Sequence, residues 1–204
     1  MINMKKYFKK LPEKLLEYID ILRLTELLIK ECNNWGQSEI CDTNIKISSD
    51  VSNRISQFPS HVKSQIILNN IKQKVNYCQR CQLWKSRLNP VFGTGIINAD
   101  IMFVGEAPGY DEDHRGEPFV GKSGQLLTKI IEAMNYKRET VYISNIVKCH
   151  PMIDPHNPEK RSNDRPPTNV EMKACLPYLD MQIAVINPKI IVSLGGSSIK
   201  ALTN

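Results

Sequence analysis

Hydrophobic positions divide the chain into two textures. In the first 77 residues, Leu11, Leu15, Ile19, Leu22 and the Leu27–Leu28 pair recur at helical spacing and predict a helix over 12–31. Residues 33–60 are polar without a clear period and read as a linker, and a second helix is expected over 61–76. From residue 88 short apolar runs alternate with amphipathic stretches. Ile101–Val104 reads as a buried strand, and Gln125–Tyr136 as a helix with Leu126, Leu127, Ile130, Ile131 and Met134 on one face. Val141–Ser144 reads as a second strand, and residues 150–167, with five prolines, as a long loop. Thr168-x-x-Glu171 is a capping box that opens a helix running to about Ile186. Lys189–Leu194 is a third strand, followed by Gly195-Gly196 and a helix start at Ser197. This alternation predicts an α/β fold, a parallel sheet covered on both faces by helices. Ligands in such folds sit beyond the carboxyl ends of the strands, here Gly105-Glu106, Asn145 and Gly195.

Composition narrows the class. With 204 residues, 41% of them hydrophobic and 24% charged, the chain fits one globular domain plus an extension. Collagen-like, mucin-like and wholly disordered readings are excluded. No apolar run approaches the roughly 20 residues of a membrane span. The N-terminal Met-Ile-Asn-Met-Lys-Lys-Tyr-Phe-Lys-Lys lacks an apolar leader region, so a cytoplasmic location with no membrane partner is expected. The net charge is +6, and from Lys46 to Arg87 there are eight basic residues and one acid. That stretch suits a polyanion such as nucleic acid, or equally a solvated basic helix face.

Two patterns point to chemistry. Gly116-Glu117-Pro118-Phe119-Val120-Gly121-Lys122-Ser123 matches the G-x-x-x-x-G-K-[ST] phosphate loop letter for letter. Its context is wrong, because the charged residues Asp111–Arg115 precede it where a buried strand is needed; nucleotide binding is the minor alternative. Six cysteines in a chain not expected to be secreted do not read as a disulfide framework. Cys32 and Cys41 stand alone, Cys78-x-x-Cys81 is a weak metal or redox signal by itself, and Cys149 and Cys175 lie far downstream.

The strongest constellation follows the first strand. Gly105-Glu106-Ala107-Pro108-Gly109 is succeeded by Tyr110-Asp111-Glu112-Asp113, by Gly116-x-Pro118-Phe119-Val120-Gly121 and by Gly124-x-Leu126-Leu127. Ser144-Asn145-Ile146-Val147-Lys148-Cys149 comes after the second strand. In this order the motifs resemble the family 4, iron–sulfur uracil-DNA glycosylases, from about Cys78 to Leu202. The resemblance implies a three-layer α/β/α sandwich with a short central parallel sheet over residues 76–204, preceded by an N-terminal helical extension over 1–75. It implies a monomeric DNA repair hydrolase that cleaves the N-glycosidic bond of uracil in DNA. A catalytically impaired iron–sulfur DNA-binding relative is the alternative.

The resemblance also assigns residues. Phe119 matches the aromatic that stacks on the flipped base, and Asn145 the amide that reads the uracil edge. Gly105 lines the same pocket, and Glu112 falls near the group that screens the C5 position against the methyl of thymine. Ala107 stands where other branches hold a water-orienting Asp or Asn. Glu106 and the backbone around Ala107 are then the candidates for placing water, although Glu106 reads equally as a brace for the loop. Cys78, Cys81, Cys149 and Cys175 match the four ligands of a 4Fe–4S cluster, with zinc the alternative.

Two departures stand out. The 150–167 segment is longer than the family's, and a related branch carries a basic insert there with a His that bonds the abasic sugar. His150 and His156 lie in that region without reproducing its motif, and Lys160, Arg161 and Arg165 read as phosphate contacts. The family also continues beyond Gly195 with a further strand and a His-Pro-Ser motif that this sequence, ending at Asn204, does not contain. Reduced activity and an exposed sheet edge are the expectations.

Overall fold

The computed structural model describes residues 2–3 and 60–203. The helix expected over 12–31 and most of the linker lie outside these residues. The strands are β1 (Ile2–Asn3), β2 (Thr94–Gly95), β3 (Ile101–Gly105), β4 (Tyr142–Asn145) and β5 (Ile190–Ser193). The helices are α1 (Ser60–Asn76), α2 (Tyr110–Arg115), α3 (Lys122–Ala133), α4 (Asn169–Ile186) and α5 (Gly196–Thr203). Two 3-10 turns, Gln82–Lys85 and Arg138–Thr140, link them.

The sheet order is β1-β5-β3-β4-β2. The three central strands are parallel, as the alternating pattern predicts. Both edges are antiparallel, which makes the sheet mixed: β1 pairs with β5 and β2 with β4. The outer edge of β5, expected to be bare, is therefore paired through Ile2↔Ile191 and Asn3↔Ile190.

Alternation along the strands builds two cores. Met102, Val104, Tyr142 and Ile191 face one side, where they meet Ile67, Ile71 and Val75 of α1 and Leu179 and Ile183 of α4. Ile101, Phe103 and Ile143 face the other side and meet Leu127 and Ile131 of α3. The result is the α/β/α sandwich. Helix α1, which the sequence assigns to the extension, supplies part of the larger core. The capping box of α4 forms: Thr168 Oγ1 accepts from Glu171 N at 3.2 Å, and Thr168 N donates to Glu171 Oε2 at 2.7 Å. Pro177 lies inside α4 without ending it.

Candidate active site and cysteine pocket

Register sets the site. Gly105 and Asn145 are Cα partners at the carboxyl ends of the parallel strands β3 and β4. The chain beyond them stays paired, with Ile146 N donating to Gly105 O and Val147 N to Glu106 O, both at 3.0 Å. A Cβ added at Gly105 would collide with Asn145 Oδ1 and with the Phe119 ring, so those two groups converge above one missing side chain. Asn145 is 1% exposed, and its Oδ1 has no hydrogen-bond partner. A buried acceptor left unpaired costs about 1–3 kcal/mol, which a ligand donor would recover.

The Phe119 loop is held from both sides. Glu112 Oε1 accepts from Val120 N and Gly121 N at 2.9 Å, and Oε2 accepts from Gly109 N at 3.2 Å. Both carboxylate oxygens thus tie the loop after β3 to the start of α3. The same contact disposes of the phosphate-loop pattern. That segment follows α2 rather than a strand, and a carboxylate already occupies the amides where a phosphate would bind. Phe119 has φ of +55°, and Arg138 donates to the carbonyls of Pro118 and Phe119. Glu106 and Ala107 follow Gly105 directly and are half-buried, and Ala107 packs against the larger core.

Behind Asn145 lies a buried ammonium. Lys148 Nζ donates to Ser144 Oγ at 2.6 Å, to Asn145 O at 2.7 Å and to Gln182 Oε1 at 2.6 Å. Burial lowers its pKa to about 7. Gln182 passes the network on to Phe92 O and the Tyr142 hydroxyl.

The 150–167 loop packs back on α2. The Arg161 guanidinium lies 4.6 Å from the Tyr110 ring centroid and 3.6 Å from Asp111, and His114 and Glu159 meet at 3.1 Å. His150 is buried rather than presented to a sugar; its Nε2 lies 2.6 Å from Asp164 and its Nδ1 3.7 Å from Asp113. Burial pulls its pKa down, but the two carboxylates together outweigh that and hold it above the ordinary value. Arg165, expected at a phosphate, forms a bidentate pair with Glu171 at 2.7 and 2.9 Å. His156 and Lys160 are exposed.

The four predicted cysteines line one pocket, together with Arg80, Trp84, Arg87, Lys148 and Tyr178. Arg87 Nη1 donates to Cys149 Sγ at 3.1 Å, and Lys148 N donates to Cys175 Sγ at 3.2 Å. Burial pushes the Cys149 and Cys175 thiols up to about 11 and about 12 and also raises Cys81. Four thiolates here need a cation to be tolerable. Among the described residues no group of three or more His, Cys, Asp or Glu is placed to hold a metal ion. Four cysteines around one pocket, two of them receiving hydrogen bonds, are by their chemistry a donor set for a 4Fe–4S cluster or for zinc.

The profile of the Uracil DNA glycosylase superfamily matches residues 92–204. The chain belongs to that superfamily. It is similar to the "Type-4 uracil-DNA glycosylase" of Sulfurisphaera tokodaii, 49% identical over 134 residues, 65% of this chain and 56% of that protein. The enzyme of the same name from Saccharolobus solfataricus is 48% identical over 132 residues, covering 64% and 56%. That of Pyrobaculum aerophilum is 42% identical over 135 residues, covering 66% and 64%. The match therefore spans 56–64% of the length of these relatives. The fold brings Gly105, Phe119 and Asn145 of the sequence-predicted set together, while the contacts of Arg138, Gln182 and the Glu112 carboxylate leave no signal in the sequence. No helix among the described residues is long and apolar enough to cross a membrane.

Proposed function

We propose that this chain is a uracil-DNA glycosylase that hydrolyses the N-glycosidic bond of uracil in DNA, in base excision repair. The observation that carries the reading is the buried, unpaired Asn145 Oδ1, set beside the Phe119 ring above a glycine. A base swung out of the stack can lie against Phe119, which supplies affinity but no choice among bases. Choice comes from Asn145. Its oxygen accepts from uracil N3–H, and its amide NH2 donates to O4. Cytosine presents an acceptor at N3 and a donor at N4, which mispairs both groups. Glu112 serves as a brace of the pocket wall, because its oxygens are spent on three backbone amides. Glu106 and the backbone at Ala107, directly after Gly105, place the attacking water, and the preorganised dipoles of the site stabilise the departing uracil anion.

Cys78, Cys81, Cys149 and Cys175 would hold a 4Fe–4S cluster, which when bound supplies a rigid cross-link between the end of α1, the segment after β4 and α4. The partner is uracil-containing DNA, and the protein acts as a cytoplasmic monomer. The test is excision from single-stranded oligonucleotides by anaerobically purified full chain. Alkali-labile breaks at uracil but not at thymine or cytosine are expected. DNA binding with no base release at enzyme excess would overturn the reading.

A further inference from the structure

We propose that Arg138 is a positioning residue for base recognition, the clamp that fixes the Phe119 ring over Gly105. The proposal rests on the reading of Phe119 and Asn145 as the uracil pocket.

Phe119 needs a clamp. Its φ of +55° lies in the left-handed region, where a β-carbon crowds the following carbonyl, so an aromatic residue does not stay there unaided. Arg138 supplies the restraint through main-chain atoms. Its Nη2 donates to Pro118 O at 2.8 Å and to Phe119 O at 2.9 Å, and its Nη1 donates to Thr128 Oγ1 at 3.2 Å. Thr128 in turn donates to Gly124 O at 3.0 Å. The guanidinium thus joins the Phe119 loop to the first turns of α3. Gly124 completes the seat, because a Cβ there would run into the carbonyl group of Phe119.

The clamp has a direction. Arg138 opens the 3-10 turn Arg138–Thr140, which leads directly into β4, and β4 ends on Asn145. One short rigid segment therefore carries the group that reads the base edge and holds the group that stacks on its face. Glu112 grips the amides of Val120 and Gly121 while Arg138 grips the preceding carbonyls. The fork geometry matters: a lysine ammonium on a flexible stem can reach the two carbonyls but does not also present a second nitrogen to Thr128. With both terminal nitrogens engaged inside the fold, Arg138 is not arranged to contact a phosphate.

The experiment is a double-mutant cycle with Arg138→Ala and Phe119→Ala in the full chain, read by single-turnover excision of uracil from a single-stranded oligonucleotide. Arg138→Ala is expected to lower the maximal rate by about 10- to 100-fold, the scale of an ångström-level misplacement of a reacting group. Its affinity for undamaged DNA and the salt dependence of that affinity stay as in wild type. In the Phe119→Ala background the same substitution costs less than about threefold, because there is no ring left to position. Arg138→Lys recovers part of the rate, and its melting temperature separates a lost clamp from a lost fold. An equal loss in both backgrounds, or weaker DNA binding with a shallower salt slope, would overturn the clamp. Activity of Arg138→Ala equal to wild type overturns it as well. A wild-type chain that excises nothing removes the pocket reading first, and the proposal with it. The mechanical part also has its own readout: amide exchange at residues 119–121 should speed up in Arg138→Ala, and unchanged exchange contradicts the clamp.

Discussion

Adding one methyl group at Gly105 tests the architecture of the pocket. The backbone at Gly105 lies outside the left-handed region, so alanine brings no conformational strain and the effect is purely steric. The new Cβ would overlap Asn145 Oδ1 and the Phe119 ring, with Phe119 Cε2 at 2.8 Å. Neither neighbour yields cheaply. Asn145 is fixed by the β3–β4 register and by Lys148 on its carbonyl, and the Phe119 backbone is fixed by Arg138 and Glu112. Overpacking of this kind costs about 1–3 kcal/mol. For a chain of this size that is a melting-point drop of about 2–12 °C. The catalytic loss should be larger than the stability loss, about 100-fold or more, because the methyl occupies the space between the Phe119 ring and the Asn145 amide. Gly196→Ala is the control, since nothing lies within 4 Å of its added Cβ. Single-turnover uracil excision and thermal melting on both variants make the comparison. A Gly105→Ala protein that retains activity within about twofold of wild type refutes the convergence of Asn145 and Phe119 on one base.

Two further predictions follow from other parts of the structure. Cys175→Ser, purified without oxygen, should lose bound iron and acid-labile sulfide in equal amounts along with the visible absorption of the wild type; zinc in the wild-type protein would contradict the cluster. Glu171→Gln should destabilise the fold by about 1–2 kcal/mol at neutral pH, because it removes the charge that Arg165 grips with two hydrogen bonds. The Arg165 guanidinium holds the Glu171 carboxyl below its ordinary value, so the wild type gains this stability above the unfolded carboxylate range. The gap between wild type and Glu171→Gln should close as pH falls below about 4, as followed by chemical denaturation across pH; a gap independent of pH would contradict it.

What the sequence makes legible is what local pattern encodes. Continuous apolar runs mark β3 to β5, Thr168 and Glu171 mark the start of α4, and the proline-rich stretch marks a loop. The motif order after β3 marks Phe119 and Asn145. Helix α2 is hidden because its six residues, Tyr110–Arg115, are nearly all charged and bury Glu112 and Asp113 instead of apolar groups. The two-residue edge strands carry too few positions to show a period. Arg138 leaves no pattern at all, because it binds main-chain atoms nineteen and twenty positions earlier, a relation set only when α3 folds back over the sheet. Arg165 shows the opposite error: a basic loop residue suggests a phosphate, but the fold brings Glu171 to it first.

The central claim is that Asn145 Oδ1 is kept unpaired in order to read uracil. Its most direct test compares single-turnover excision rates of wild type and Asn145→Ala on one uracil-containing single strand, with melting temperatures alongside. Active wild type and a loss of about 100-fold or more in Asn145→Ala are expected, without loss of fold and with DNA affinity retained. An Asn145→Ala protein that removes uracil as fast as wild type would contradict it.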